Sequence, residues 1–459
     1  MNFSGKVAIN NCEYDCHIKN SEMVVTKSGV DFLREQTNIG WDILLRDWIT
    51  LLSDDAFDKR HGCRDKLIVR LQYKSADRGV LCFDVTSCME LLERTDSVQG
   101  NDIVKLLTIR SDIIDKFYWS DRTCDENIES VASIFCREHK QANKPDEYKL
   151  NFEGKEVIIS FVVTAGHKWE YGSAMGFPFQ IFVALNIECE TGLSAQESFV
   201  FCHHIKSFLS FISNARDIFL DEILVNTNEY MDTIPTGLEN YASGKLYLTQ
   251  EANKNDKVTK IIPYVLVKNL ISSILDKIVN GKIFVLSLFQ YENDAINTID
   301  ISNVCSAFES QFRIRYPKFN NEEFDKVKSA VKAILKELEN CPLLNGEMVS
   351  DFVNWNSNYS GTLKMKLDHA LNDFIEMFKL NDEYWEHCID LICGNGYNDM
   401  PKRMKNARNA LAHGNNLTDF RVLHDTCLLR AVTYAMILTE LGLDSATVVK
   451  CVKKLFMRY

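Results

Sequence analysis

The segment KRMKNARNALAHGNN, residues 402–416, is the most informative stretch of this chain. Its spacing predicts a short helix over 401–413, lying between two longer helices. Gly414 follows that helix, and glycine readily adopts the left-handed conformation common just after helix ends. Four basic residues fall within seven positions without an intervening acid, namely Lys402, Arg403, Lys405 and Arg408. The segment is therefore a short basic helix with a defined end.

The same segment carries residue types suited to cutting RNA. Asn409 and His413 are four residues apart and share a helix face, while Arg408 projects roughly 140° away from His413 but is long enough to reach round. Histidine, with an unperturbed pKa of about 6.5, can transfer protons near neutral pH. A guanidinium matches a phosphate but cannot act as a base. Asn409 could orient the imidazole or hold a phosphate oxygen.

Spacing alone leaves a plainer interpretation open. A histidine at the end of a helix is also stabilised by the helix dipole and by a bond to a backbone carbonyl. Basic residues on a short helix often form only a solvated face. Moreover, one histidine cannot comfortably be both base and acid, so cleavage chemistry would need a second copy of the motif from another subunit.

The rest of the second half has the apolar periodicity of helices. Polar residues without a sustained period fill 226–259, which we interpret as a connection between domains. We therefore predict an all-α bundle over 260–459. Its expected helices span 263–280, 303–316, 322–339, 364–379, 383–393, 401–413 and 419–442.

The first half has a different pattern. Short stretches rich in β-branched and aromatic residues alternate with Gly, Asp and Asn clusters, which predicts an antiparallel sheet or sandwich over 1–225. The clearest of these stretches are KLIVRLQY, GVLCFDVTS, KEVIISFVVT and PFQIFVALNIECE. Ser194 and Glu197 then have capping-box spacing ahead of an apolar helix. The predicted fold class is thus α+β multidomain, with a β-rich N-terminal domain followed by a helical bundle.

The two halves of the chain also differ in net charge. Residues 1–250 contain 26 Lys and Arg against 38 Asp and Glu, whereas residues 251–459 contain 26 of each. Nucleic-acid contact is therefore expected from local basic patches of the second half. The sequence has neither a run of 18 apolar residues nor a secretory signal, so we expect a cytoplasmic protein without a membrane partner.

Metal binding is not expected. The fifteen cysteines are scattered and fit reduced thiols. The nearest approach to a metal pattern is Cys12, Cys16 and His17, which would need a further pair of ligands to complete a tetrahedral site. We therefore assign neither a metal nor another cofactor.

The motif RNALAHG, with ISNVCSAFESQFRIRYP about 100 residues upstream, resembles the HEPN superfamily. The signature of that superfamily is an arginine, a polar residue, three further residues and a histidine. The β-rich first half and SAFESQFRIRYP resemble more specifically its ApeA-like branch. The motif match covers 303–316 and 405–416, and elsewhere the agreement is one of architecture.

The resemblance implies a metal-independent endoribonuclease acting on tRNA or another structured RNA in abortive infection against phage. It also implies a homodimer with a composite active site, and an N-terminal domain that senses a phage-derived or cellular trigger. Carried onto this chain, Arg408, Asn409 and His413 are the catalytic candidates. Many relatives add an acid from an earlier helix, for which Glu309 is the candidate. The candidates for positioning phosphates are Lys402, Arg403 and Lys405.

Two other functions stay open on the sequence. A HEPN-like bundle could bind RNA or nucleotide without cutting it, as a regulatory module. Alternatively, the bundle could serve only dimerisation within a larger complex.

Overall fold

The computed structural model describes two compact units. The sheet unit comprises Met1–Ile212, Asp217–Thr259 and Pro263–Asn280, and the helical unit comprises Ser213–Arg216, Lys260–Ile262 and Gly281–Tyr459. The residues that the structure describes are 2–9, 12–19, 22–26, 49–58, 63–77, 80–94, 103–119, 146–167, 179–215, 218–227, 244–248, 258–283, 298–317, 319, 322–338, 362–393, 396–415, 417 and 419–457.

Within the described residues, the sheet unit contains twelve antiparallel strands in the spatial order β3-β2-β1-β4-β5-β6-β12-β11-β7-β10-β9-β8. In chain order they are β1 (Asn2–Ile9), β2 (Cys12–Lys19), β3 (Glu22–Thr26), β4 (Ile49–Asp58), β5 (Cys63–Asp77), β6 (Val80–Arg94), β7 (Val104–Arg110), β8 (Glu147–Phe152), β9 (Lys155–His167), β10 (Phe179–Leu193), β11 (Glu222–Thr227) and β12 (Gly244–Leu248).

The first six strands close into a ring, because β3 pairs with both β2 and β6. Alternate side chains of these strands point inward, as strand geometry requires. They form one apolar cluster that includes Tyr14, Met23, Leu67 and Phe83. The predicted strands KLIVRLQY and GVLCFDVTS lie in β5 and β6, which confirms them.

The other six strands extend the sheet from β6, and helices pack on them. Helix α1 (Asp112–Trp119) contacts β10, and Phe117 of α1 packs edge-on against Phe208 of α2 (Ala195–Ser213). The predicted capping box of α2 is present: the Ser194 amide donates to Glu197 Oε2 at 2.6 Å, and the Glu197 amide donates to Ser194 Oγ at 3.2 Å.

The segment predicted as one helix over 263–280 is interrupted. It consists of α3 (Tyr264–Val267), a 3₁₀ turn and α4 (Ile271–Val279), and it belongs to the sheet unit. Ile271, Ile274, Leu275 and Ile278 form the buried stripe of α4, which packs on β8. The expected connecting segment 226–259 also differs, since it contains β12. The contact of α4 with β8 and the pairing of β12 with β6 join segments that are distant in sequence, so local periodicity could not reveal them.

A hydrogen-bonded pair of phenols attaches α3 to β8. The Tyr264 hydroxyl donates to Asp146 Oδ2 at 2.7 Å, and its oxygen lies 2.5 Å from that of Tyr148. Burial raises the pKa of Tyr148 to about 12, so this phenol is neutral at ordinary pH. The neutral pair supplies a directional link within an otherwise aromatic core.

Tyr264→Phe is expected to lower the free energy of unfolding by about 1–2 kcal/mol, because it removes two hydrogen bonds of a buried group. The midpoint of urea unfolding of the full chain measures this effect. The matched control is Tyr384→Phe, at a tyrosine that is 66% exposed. Equal midpoints for wild type and Tyr264→Phe would contradict a stabilising role for these bonds.

The helical unit contains α5 (Thr298–Arg315), α6 (Glu322–Leu338), α7 (Leu363–Asn381), α8 (Trp385–Cys393), α9 (Met400–Ala412), α10 (Arg421–Glu440) and α11 (Ser445–Phe456). Helix α10 is its centre and packs against α5, α8, α9 and α11. Nearly every residue between Val422 and Leu438 is buried, as expected for a helix with neighbours on several sides.

The α+β layout predicted from the sequence, with an antiparallel sheet followed by helices, is confirmed. The helices expected after residue 300 are all present with small shifts at their ends. Among the described helices, none is both long enough and apolar enough to cross a membrane.

Candidate active site

Helix α9 carries the motif residues, and its buried side packs against three other helices. Met400, Met404 and Ala407 are buried on the side of α9 that meets α5, α7 and α10. The helix ends at Ala412, and the amide of the capping residue His413 lies within hydrogen-bond distance of the carbonyls of Asn409 and Ala410, each at 3.2 Å. Gly414 has φ +72°, and thus the predicted left-handed position after the helix is confirmed.

Arg408 lies beside a carboxylate from another helix. Its Nη2 is 3.5 Å from Oε2 of Glu309 on α5. The arginine side chain is 47% exposed and the glutamate side chain 18%. Within the described residues, a single guanidinium nitrogen of Arg408 contacts Glu309. The other N–H donors of Arg408 are therefore available to bind an oxyanion.

A second cation holds the same carboxylate. Lys366 of α7 donates from Nζ to Oε1 of Glu309 at 3.2 Å, and its side chain is only 5% exposed. Glu309 is therefore shared between a buried ammonium on one side and a half-exposed guanidinium on the other. Lysine is rarely buried unless it is paired, and this pairing explains its position.

Cys305, one turn before Glu309 on α5, belongs to the same neighbourhood. Burial raises the pKa of its thiol to about 12, the charge of Glu309 adds to that rise, and Arg408 opposes it. The thiol is consequently neutral near pH 7 and is a poor nucleophile.

Asn409 and His413 are exposed near the free end of α9. Within the described residues, neither side chain forms a hydrogen bond with the other or with Arg408. His413 can therefore meet a substrate or a second protein chain directly. The structure thus brings Glu309 to Arg408, while it leaves the imidazole open.

The three candidate phosphate-positioning residues differ from one another. Lys402 is exposed and Lys405 is half-buried. Arg403 instead donates from Nε and Nη2 to both oxygens of Asp425 on α10, each at 2.7 Å, and from Nη2 to the Gly396 carbonyl. Burial raises the pKa of the Asp425 carboxyl, and the bonds from Arg403 oppose that rise. The guanidinium of Arg403 is thereby committed to an internal ion pair.

Cys16 and His17 lie on opposite faces of β2. The thiol of Cys16 is fully buried in the ring of strands, whereas Nδ1 of His17 lies 3.0 Å from Oγ of Ser4 on the exposed face. The side chain of Cys12 lies outside the described residues. In the described part of the chain, no group of three or more His, Cys, Asp or Glu is placed to hold a metal.

No family model, no curated protein and no solved structure matches this chain. The site must therefore be judged by its own geometry and chemistry.

Lys366 is the member of this site that the sequence analysis missed. The sequence analysis assigned it no role, and only the fold places it against Glu309 of α5. A weak signal was present, since Lys366 occupies the apolar stripe that contains Leu367, Ala370 and Leu371.

Proposed function

We propose that this chain is a metal-independent endoribonuclease of the HEPN type. The observation that carries the proposal is the placement of Arg408: a glutamate from another helix contacts one side of its guanidinium, and the side chain is otherwise half-exposed. An exposed histidine, His413, caps the same short helix. Arginine, asparagine and histidine together can bind a phosphodiester and move protons near neutral pH.

The proposed reaction divides the work among these groups. His413 accepts the proton of a ribose 2′-hydroxyl, whose oxygen attacks the adjacent phosphorus. The bond from phosphorus to the 5′-oxygen breaks, and that oxygen receives a proton from the same histidine of a second copy of the chain. The products are a 2′,3′-cyclic phosphate and a 5′-hydroxyl end. Arg408 stabilises the charge on the pentacovalent phosphate, and Asn409 holds a phosphate oxygen or orients the imidazole.

A symmetric dimer fits this chemistry. Each chain contributes one proton-transfer group at the end of α9, and two such groups complete the reaction. Two-fold pairing is also the commonest assembly of identical chains. In the proposed dimer, the two motifs face one another across a shared RNA strand.

The cellular role that we propose follows the resemblance of the motif to the HEPN superfamily. Cleavage of tRNA or another structured RNA would stop growth of an infected cell, as in abortive infection against phage. The acidic sheet unit would sense a phage-derived or cellular trigger and control the helical unit.

Arg408→Lys tests the proposal at its central observation. We expect kcat/KM for RNA cleavage to fall by about 100–1000-fold, since loss of one donor to a developing oxyanion typically has that effect. Lysine retains the charge but lacks the planar fork and the reach to Glu309. The assay follows total cellular RNA in EDTA and maps the new ends for a 5′-hydroxyl and a cyclic phosphate.

The matched control is Arg421→Lys, the same substitution at an exposed arginine that pairs with Asp419 on the surface. It should cleave like wild type. Wild-type activity in Arg408→Lys would refute the assignment of Arg408. RNA binding by wild type without any cleavage would instead favour a regulatory binding module.

A further inference from the structure

Lys366 and Glu309 form a largely buried ion pair in contact with Arg408. We propose that Lys366 is a positioning residue that neutralises Glu309, so that Glu309 can orient Arg408 without cancelling the positive charge that attracts RNA phosphate. The inference deepens the proposed function and rests on it, since it concerns how the same site binds RNA.

The two carboxylate oxygens of Glu309 face different cations. Oε1 accepts from Lys366 at 3.2 Å, and Oε2 faces Arg408 at 3.5 Å. The shorter contact is to the ammonium, and both members of that pair are largely shielded from water. The arginine contact is longer and half-exposed. Glu309 is therefore bound mainly to Lys366, and Arg408 is guided by the carboxylate without being captured by it.

The net charge of these three side chains determines how strongly the site attracts a phosphate. Lys366, Glu309 and Arg408 together have one net positive charge, and Arg408 is the member exposed to solvent. Without Lys366, the carboxylate and the guanidinium would form a neutral pair. Arg408 would then have to leave Glu309 unpaired in a poorly hydrated position in order to bind a phosphate, which is unfavourable.

The packing of α7 on α5 explains why Lys366 lies opposite Glu309. Glu309 lies on α5 and Lys366 on α7. One and two turns after Lys366, α7 also contacts Tyr316, the residue that directly follows α5. There the His369 ring lies 4.7 Å from that of Tyr316, and the Tyr316 hydroxyl donates to Asp373 at 2.6 Å. These contacts fix the register of α7 against α5 and thus hold the lysine opposite the glutamate.

The test measures how RNA binding depends on salt. The probe is a labelled single-stranded RNA whose 2′-hydroxyls are methylated, so that it cannot be cleaved by 2′-attack. The slope of log Kd against log salt reports the number of phosphates neutralised, at about 0.7 per phosphate for single strands. Lys366→Met should lower this slope by about 0.7 and raise Kd at least tenfold. A residue that only stabilises the fold would leave the slope of the folded protein unchanged.

A second substitution provides the rescue. Lys366→Met combined with Glu309→Gln removes the carboxylate that would capture Arg408, and the slope should return to the wild-type value. The matched control is Lys364→Met, which removes an exposed lysine paired with Asp368 on the same helix. That control should bind with the wild-type slope. Thermal unfolding of each variant shows whether the compared proteins are folded.

The outcomes distinguish failure of the role of Lys366 from failure of the nuclease proposal. A wild-type slope in folded Lys366→Met would overturn the role of Lys366 even if wild type cleaves RNA. The expected slopes without cleavage of unmodified RNA would support the role of Lys366 while the nuclease proposal fails. Wild type that binds no RNA would overturn both. If Lys366→Met does not fold, Glu309→Gln decides: a slope below that of wild type overturns the inference.

Discussion

His413→Ala is expected to lower the rate of RNA cleavage by about 100–10,000-fold, which is the usual contribution of a general acid or base. In the proposed dimer the substitution removes both proton-transfer groups at once, so the effect should lie towards the upper end of that range. The exposed position of the imidazole at the end of α9 means that little packing is lost. The measurement is single-turnover cleavage of a labelled RNA in EDTA.

The control for this prediction is His387→Ala, at an exposed histidine on α8 to which no role is assigned. It should cleave like wild type. Because His413 is exposed, His413→Ala should also retain the wild-type unfolding midpoint and the affinity for methylated RNA to within a few fold. Equal cleavage by His413→Ala and wild type would refute the assignment and would leave the helical unit as a binding or dimerisation module.

The sequence predicted those parts of the fold that depend on local pattern. The β-branched and aromatic residues of KEVIISFVVT, the capping box at Ser194 and the glycine after His413 each reflect the geometry of one segment. The last helix, α11, was missed although local signals were present. Asp444 accepts a hydrogen bond from the Thr447 amide at 2.9 Å, and a buried stripe through Val448 and Val452 follows.

Other features depend on contacts between distant segments. Closure of the ring needs β3 to pair with β6, which no periodicity within either strand can specify. The same holds for the site. The motif spacing suggested Arg408 and His413, and a family resemblance suggested Glu309, but the position of Lys366 follows only from the packing of α7 against α5.

Arg403 shows most clearly how packing changes the interpretation of a basic residue. In the sequence it is one of four similar basic residues, and in the structure it is bound to Asp425, whose side chain is fully buried. Arg403 is thereby distinguished from the exposed Lys402 beside it. The pair connects the first turn of α9 to α10 and hence supports the helix that carries the motif.

Arg403→Met is expected to lower the free energy of unfolding by about 3–5 kcal/mol, because it leaves an unpaired carboxylate in the interior. Combining it with Asp425→Leu should recover much of this loss, since an apolar pair of similar volume needs no partner. Urea unfolding gives the size of the effect, and hydrogen exchange of the α9 amides shows whether the motif helix opens first. Lys402→Met, at the exposed neighbour, should change stability by no more than about 0.5 kcal/mol.

The double variant and Lys402→Met also distinguish an effect on stability from an effect on RNA binding. If the pair is structural, the double variant should fold and bind methylated RNA with the wild-type salt slope, because Arg403 contributes no phosphate contact. Lys402→Met, by contrast, should lower that slope if Lys402 positions a phosphate. Wild-type stability in Arg403→Met together with a reduced salt slope would reverse the assignment, and Arg403 would then be a phosphate ligand that leaves Asp425 when RNA binds.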